Sequence, residues 1–460
     1  MRSGAEATVA PVPIVNFDRF LFAFTIGSHI LLVSLSIGLA LLISAVEFLA
    51  ARRSDASYAG LARRLARPFV VSFGVGTASG IVMAVELVNL FPTFMTLVSK
   101  TGVIAIFYVE IFAFFLETMF LVLYVYYGST FRGRYARWVL TLPIVVGTLL
   151  SAVLIVMVNA WMNTPNGFDL GAYVATGAVS SVNPWAPFVT ASTGYEILHV
   201  LGSVPLTGLM LLGGYFAYRY RRTPAGGERS LFLNGLRITT VLSLVLVAVT
   251  IVAGILEIEE MYRYQPLKYA AIELNPNPGT NLPVTLFGSL SGTTIVGGLQ
   301  VPGLQGLLTH HTNLPGLSQF PSSEWPPLLV HDLFDVMVLG GALVGLFLLA
   351  YAVLWAIGRR PYDRAPFAYG VGLASLVTAI VMELGWATDE IGRQPWIVYN
   401  VLRVSAAANY SSALFYPGLV IVAFYVALVP FTFYFMVRVF NGRPADVDLS
   451  GPSAGSDVNY

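Results

Sequence analysis

Residues 17–49 read FDRFLFAFTIGSHILLVSLSIGLALLISAVEFL, with Asp18, Arg19 and Glu47 near the ends and His29 in the interior. At about 1.5 Å rise per residue, a helix of this length crosses a hydrocarbon layer of about 30 Å. Lipid leaves backbone polar groups to be satisfied internally, and an unbroken apolar run does so as a helix. The preceding residues lack the charged n-region and cleavage site of a secretory leader, so the run is read as a retained first span.

Working outward, eight further apolar runs follow: Phe69–Met95, Val103–Tyr127, Val139–Trp161, Phe188–Ala217, Ile238–Ile258, Leu328–Ile357, Phe367–Thr388 and Tyr416–Phe440. Of 460 residues, 56% are hydrophobic and 11% charged, and the mean hydropathy is +0.75. A soluble domain carries about 25% charged residues, so this chain cannot hide its apolar surface in one water-soluble core. The expected fold class is an all-α integral membrane protein, with about nine transmembrane helices in a bundle. No internal repeat is found.

Lys and Arg favour cytoplasmic connections. Arg52, Arg53, Arg63, Arg64 and Arg67 follow the first span, Arg132, Arg134 and Arg137 the third, and Arg219, Arg221, Arg222, Arg229 and Arg237 the fifth. Arg359, Arg360 and Arg364 follow the seventh, and Arg438 and Arg443 end the ninth, so 18 of the 25 Lys and Arg residues fall on one side. The N-terminus is then expected outside and the C-terminus in the cytoplasm. This divides the chain into helices one to six (1–258), an extracytoplasmic loop (259–327), helices seven to nine (328–440) and a polar cytoplasmic tail (441–460). A loop so much longer than about 12–15 residues is usually functional or disordered.

The net charge of +1 and the lack of a basic block give no reason to expect a nucleic-acid partner. The absence of cysteine excludes disulfides, thiolate metal sites and C-x-x-C-H haem attachment. Any cofactor must be held by His, Met, carboxylates or packing.

Ionisable groups inside a membrane are costly and mark sites by default. His29, Glu86, Glu110, Glu117, His199, Asp335, Glu383 and Glu390 lie in or at the ends of spans, most of them in the outer half. His29, His199 and Met337 lie at similar depth, and haem iron takes axial His or Met, although a lone His or Met in an apolar helix is more often structural. Glu110 and Glu117 are two helical turns apart on one face, as a proton relay requires, and Ser151 and Asn159 could extend it. Paired protonated carboxylates bonded between helices are the alternative. Only five His occur, at 29, 199, 310, 311 and 331, which does not fit haem–copper chemistry, where helix-borne His hold every metal.

Residues 385–396, GWATDEIGRQPW, resemble the G-W-x-x-x-E-x-G-R-Q-P-W signature of subunit I of cytochrome bd quinol oxidases. The resemblance extends over all nine spans. Phe17-Asp18-Arg19-Phe20 with His29 resembles the family's first helix, and Ala113-Phe114-Phe115-Leu116-Glu117 its acidic third helix. Ser151 to Asn163 resembles the fourth helix, and residues 265–273, QPLKYAAIE, resemble the quinol-loop motif.

That resemblance implies a low-spin haem b on His199 and Met337. It also implies a high-spin pair on His29 and Glu390, one a haem b, the other a haem d or a third b-type haem. Trp386 would stand between the haems, and Arg393 would suit compensation of haem propionates or a bound anion. Lys268 and Glu273 would belong to the quinol site; without the resemblance they would read as an exposed surface pair. Glu117, Ser151 and Glu110 would carry cytoplasmic protons to O2 reduction, electrogenic without a pump. The implied partners are quinol, O2, a second membrane subunit and a small single-helix subunit, in the plasma membrane of a prokaryote. One departure stands out: the family usually has Arg two residues before the ligand Met, and Asp335 occupies that position. A haem-bearing paralogue that transfers electrons without reducing O2, and a polytopic transporter using the same carboxylates, remain alternatives.

Overall fold

The computed structural model describes residues 13–442; the expected tail beyond them, with Arg443, lies outside the described residues. Among these, nine helices are long and apolar enough to cross a membrane. They are α1 (Pro13–Arg53), α2 (Ala56–Leu90), α3 (Val103–Val122), α4 (Ala136–Asn163), α5 (Thr193–Arg222), α6 (Gly227–Tyr264), α7 (Leu329–Ala356), α8 (Ala365–Gly392) and α9 (Phe415–Asn441). α3 runs on into a π-helical turn, Leu123–Tyr127.

Every expected span is a helix, but several ends differ. α2 begins at Ala56, not Phe69, so Arg63, Arg64 and Arg67 belong to the helix and not to a connection. Asp55 caps it, its side chain accepting from Ser57 N at 2.8 Å. Arg64, almost fully buried, pairs with Glu228 at 3.2 Å, which lets a charged turn join a packed helix. α2 ends at Leu90 because Pro92 follows and disfavours helix in the residue before it. A short helix, Pro92–Lys100, begins there.

α1 is the central helix, packed against α2, α4, α5 and α9. It crosses α5 closely, where a Cβ on Gly208 would lie 1.9 Å from the Ser34 carbonyl oxygen, so only glycine allows this crossing. One end of the bundle gathers the arginines: Arg134 Nη2 donates to the Arg52 carbonyl at 2.6 Å, and Tyr220 donates to Asp363 at 2.7 Å. We call this the arginine end.

The opposite end carries the long connection, which is ordered. It holds a short helix, Pro266–Ile272, and an antiparallel hairpin of β1 (Val284–Ser291) and β2 (Thr294–Val301). Gln305 ties its parts together, accepting from Tyr269 at 3.1 Å and from Asn275 at 2.9 Å, and donating to the Pro283 carbonyl at 2.6 Å. Tyr269, Ala270, Ile272, Leu314 and Leu317 form its small apolar core.

Candidate functional site

The four expected iron-binding side chains sit on α1, α5, α7 and α8, each in the half of its helix nearer the long connection. His29 Nδ1 shares a hydrogen bond with Ser79 Oγ at 2.8 Å, which leaves Nε2 free. On neighbouring helices, glycines face three of the four: a Cβ on Gly80 would lie 3.2 Å from His29 Cε1, one on Gly254 3.5 Å from His199 Cε1, and one on Gly385 3.0 Å from Met337 Sδ. His199 Nδ1 is buried without a hydrogen bond, 3.6 Å from Glu257 Oε2. Glu390 accepts from Arg393 Nη2 at 2.6 Å through Oε2.

This donor set fits haem. His and Met are haem-iron ligands, a hydrogen bond on the second ring nitrogen is how ligating His is oriented, and glycines leave room beside the ligand atoms. The buried indole nitrogen of Trp386 and Oε1 of Glu383 also have no partner, as expected where a polar group is to be met by something other than protein.

Next to Glu390, α8 joins a buried polar cluster. Asp389 accepts from Asn159 Nδ2 at 2.6 Å and from Asn163 Nδ2 at 3.2 Å, and it pairs with Lys268 Nζ. Arg393 donates to Asn159 Oδ1 at 3.0 Å and Asn163 Oδ1 at 2.8 Å. Glu196 accepts from the same two asparagines at 3.1 and 2.9 Å. Ser192 donates to Glu260, at the end of α6. Four helices and the long connection are thus locked together by charge-assisted hydrogen bonds.

Lys268 and Glu273, expected as a quinol pair, are both buried rather than exposed, and they serve different neighbours. Lys268 points to α8, where its side-chain carbons fill the space above Gly392. Glu273 lies towards α7, where burial and the nearby Asp335 carboxylate push its pKa up to about 8. Asp335 Oδ2 accepts from Phe287 N at 2.6 Å, and His331 Nε2 accepts from Gly288 N at 3.3 Å. His331 Nδ1 donates to the Ile272 carbonyl at 2.7 Å. The residue that departs from the family pattern therefore fastens the β1–β2 hairpin to the helix bearing Met337.

Of the expected proton route, Ser151 donates to Glu110 Oε1 at 2.7 Å. Glu117 is buried where α3 and α4 nearly touch: a Cβ on Gly147 would lie 2.9 Å from Glu117 Cβ. Asn159 belongs to the Asp389 cluster instead.

The family described as cytochrome bd terminal oxidase subunit I matches residues 17–444. The chain belongs to the cytochrome bd terminal oxidase subunit I family. It is subunit I of a cytochrome bd-type quinol oxidase, a quinol:O2 oxidoreductase. It is 30% identical to the putative cytochrome bd menaquinol oxidase subunit I of Bacillus subtilis (strain 168), over 94% of this chain and 98% of that one. The cytochrome bd-II ubiquinol oxidase subunit 1 of Escherichia coli (strain K12) is 23% identical, over 96% and 99%. The solved bd oxidase of Geobacillus thermodenitrificans superposes with a TM-score of 0.86 at 28% identity, covering 94% of this chain and 99% of that chain.

Within this bd oxidase subunit, reading the sequence missed Glu196, Glu257, Glu260 and the role of Asp389. The rule that intramembrane carboxylates mark sites finds Glu196 and Glu257 in the apolar runs already drawn. No sequence signal pairs Lys268 with Asp389, which are 121 residues apart.

Proposed function

We propose that this subunit oxidises quinol at the end of the bundle bearing the long connection, which faces outside, and reduces O2 to water with protons drawn from the cytoplasm. The arginine end is cytoplasmic on the positive-inside rule. The enzyme sits in the plasma membrane of a prokaryote, with a second membrane subunit and a small single-helix subunit as partners. The observation that carries the reading is the buried chain of contacts from Lys268 through Asp389 and Asn159 to Arg393 and Glu390, which joins the quinol loop to the ligand helix.

His199 and Met337 would hold a low-spin haem b, and His29 and Glu390 a high-spin pair, one a haem b and the other a haem d or a third b-type haem. When bound, these groups supply electron transfer and oxygen reduction. Glu273 takes the proton that quinol gives up, since a carboxylate with a pKa of about 8 is poised as a base near neutral pH. Lys268 orients Asp389, and through it the asparagines that hold Arg393. Trp386 lies one turn before Glu390 on the same helical face. Glu117, Glu110 and Ser151 pass protons from the arginine end, so charge crosses the membrane without a pump.

Reduced-minus-oxidised spectra with haem extraction, together with quinol-dependent O2 uptake, test the reading. His199→Ala is expected to abolish the low-spin signal and keep the high-spin pair. Unchanged spectra refute the ligand assignment, and a protein without visible absorbance refutes the oxidase reading.

A further inference from the structure

Carboxylate oxygens of Asp18, Glu86 and Glu383, none of them part of the route above, are buried without a hydrogen-bond partner. Two of these residues belong to a polar seam between α1 and α2. Asp18, Thr25 and His29 are spaced by seven and four residues along α1, and Ser79 and Glu86 by seven along α2, so each set shares a face. The antiparallel helices bring the sets into register: Thr25 Oγ1 donates to Glu86 Oε2 at 2.5 Å, and His29 meets Ser79 at 2.8 Å. Glu86 Oε1 and both oxygens of Asp18 are buried without partners, although the residues are 3% and 0% exposed. A buried carboxylate without a partner is costly enough that water is expected to serve it.

The unpartnered polar atoms of the seam lie on the loop side of His29. From His29 the seam rises about 6 Å to Thr25 and about 10 Å more to Asp18, near the start of α1 at the loop end. Towards the arginine end lie the fully buried Leu32, Leu35, Leu39 and Leu42. The polar rung between α1 and α2 there, Ser36 with Ser72 at 2.6 Å, satisfies itself, and Ser34 and Ser44 also have partners. O2 reduction makes water at a site that the Glu110–Glu117 route supplies with protons from the other end, and that water must leave.

We infer that the α1–α2 seam is a hydrophilic exit from the His29 site to the loop end, with the Glu86 carboxyl group as its inner gate. From α1, Thr25 donates to Glu86, and Asp18 and His29 share the helical face of Thr25. From α9, Tyr425 donates to the Ser79 carbonyl at 2.9 Å. From α8, Glu383 reaches across Gly27. The inference rests on the haem-ligand reading of His29.

The test uses the intact oxidase in vesicles with the loop end outward, with pH stepped separately outside and inside while the high-spin haem band is recorded. The band of the wild type is expected to shift with outside pH and not with inside pH. Glu86→Gln is expected to keep the band and lose the shift. A wild-type band that ignores outside pH, or follows inside pH, overturns the inference, as does a Glu86→Gln enzyme that responds like the wild type. If Glu86→Gln loses haem, Thr25→Val, which keeps the carboxyl group and removes its donor, is expected to retain the band with a displaced pH response. Loss of haem in both variants makes Glu86 a structural support and also overturns the inference. Absence of haem bands in the wild type removes the oxidase reading itself, whereas haem without side-specific response removes only the exit.

Discussion

Asp335 on α7 accepts a hydrogen bond from the backbone amide of Phe287 at 2.6 Å, two residues before Met337. The family pattern usually places Arg there, and the reversal of charge has a structural reason: a carboxylate can accept from an amide, and an arginine cannot. Phe287 has φ of 55°, a conformation that costs a non-glycine residue about 1–2 kcal/mol and needs outside support. Asp335→Leu is expected to release the β1–β2 hairpin with a loss of about 1.5–3 kcal/mol, seen as faster amide exchange over residues 284–301. Asp335→Asn keeps an acceptor and is expected to protect the hairpin. Equal protection in Asp335→Leu refutes the anchor.

Glu273 gives a pH dependence whose sign follows from its raised pKa. Below about 8 the side chain holds its proton and cannot take another, so quinol-dependent O2 uptake is expected to rise with pH until about 8. The folded chain favours the protonated form, so the same shift makes this region less stable as pH climbs from the ordinary carboxyl range through 8. Glu273→Gln is expected to lower uptake about a hundredfold and to flatten the profile. A profile that keeps its slope in the variant assigns the base elsewhere.

The Lys268–Asp389 pair is buried on the lysine side, with 4% of that side chain exposed. Removing one partner strands the other charge, at a typical cost of about 3–5 kcal/mol. Lys268→Met is therefore expected to lower the thermal midpoint of the purified oxidase and to disturb the band of the haem proposed for Glu390. Lys268→Met combined with Asp389→Asn is expected to recover most of the stability. If the double variant is no better than the single one, the pair does not carry the contact.

Hydropathy reads each span because burial in lipid is a property of single residues summed along a run. It fails at ends where partners decide. Arg64 is helical because Glu228, far along the chain, neutralises it, and no window over residues 56–68 contains that fact. The same limit explains Lys268: its type and motif mark it as functional, but only the fold turns it towards Asp389 and away from Glu273. His29, His199 and Glu390 could be singled out as candidates because ionisable groups within the spans are few, whereas Met337 came only from the family resemblance. Ser79, which bonds His29, was not legible, since serine is unremarkable in a helix.

Gly147 tests the proton route without altering any protonatable group. A Cβ there would lie 2.9 Å from Glu117 Cβ, 3.1 Å from Glu117 N and 3.2 Å from the Ala113 carbonyl oxygen, so α4 must move away from α3 to admit it. Gly147→Ala is expected to cost about 1–3 kcal/mol in overpacking and to displace Glu117, while Ser151, one turn further along α4, keeps its bond to Glu110 on α3. Haem spectra should then be preserved while membrane-voltage generation after O2 admission slows. Voltage that develops at the wild-type rate, with the destabilisation present, removes Glu117 from the path. Voltage lost together with the haem bands shows instead that the α3–α4 contact supports the haem site.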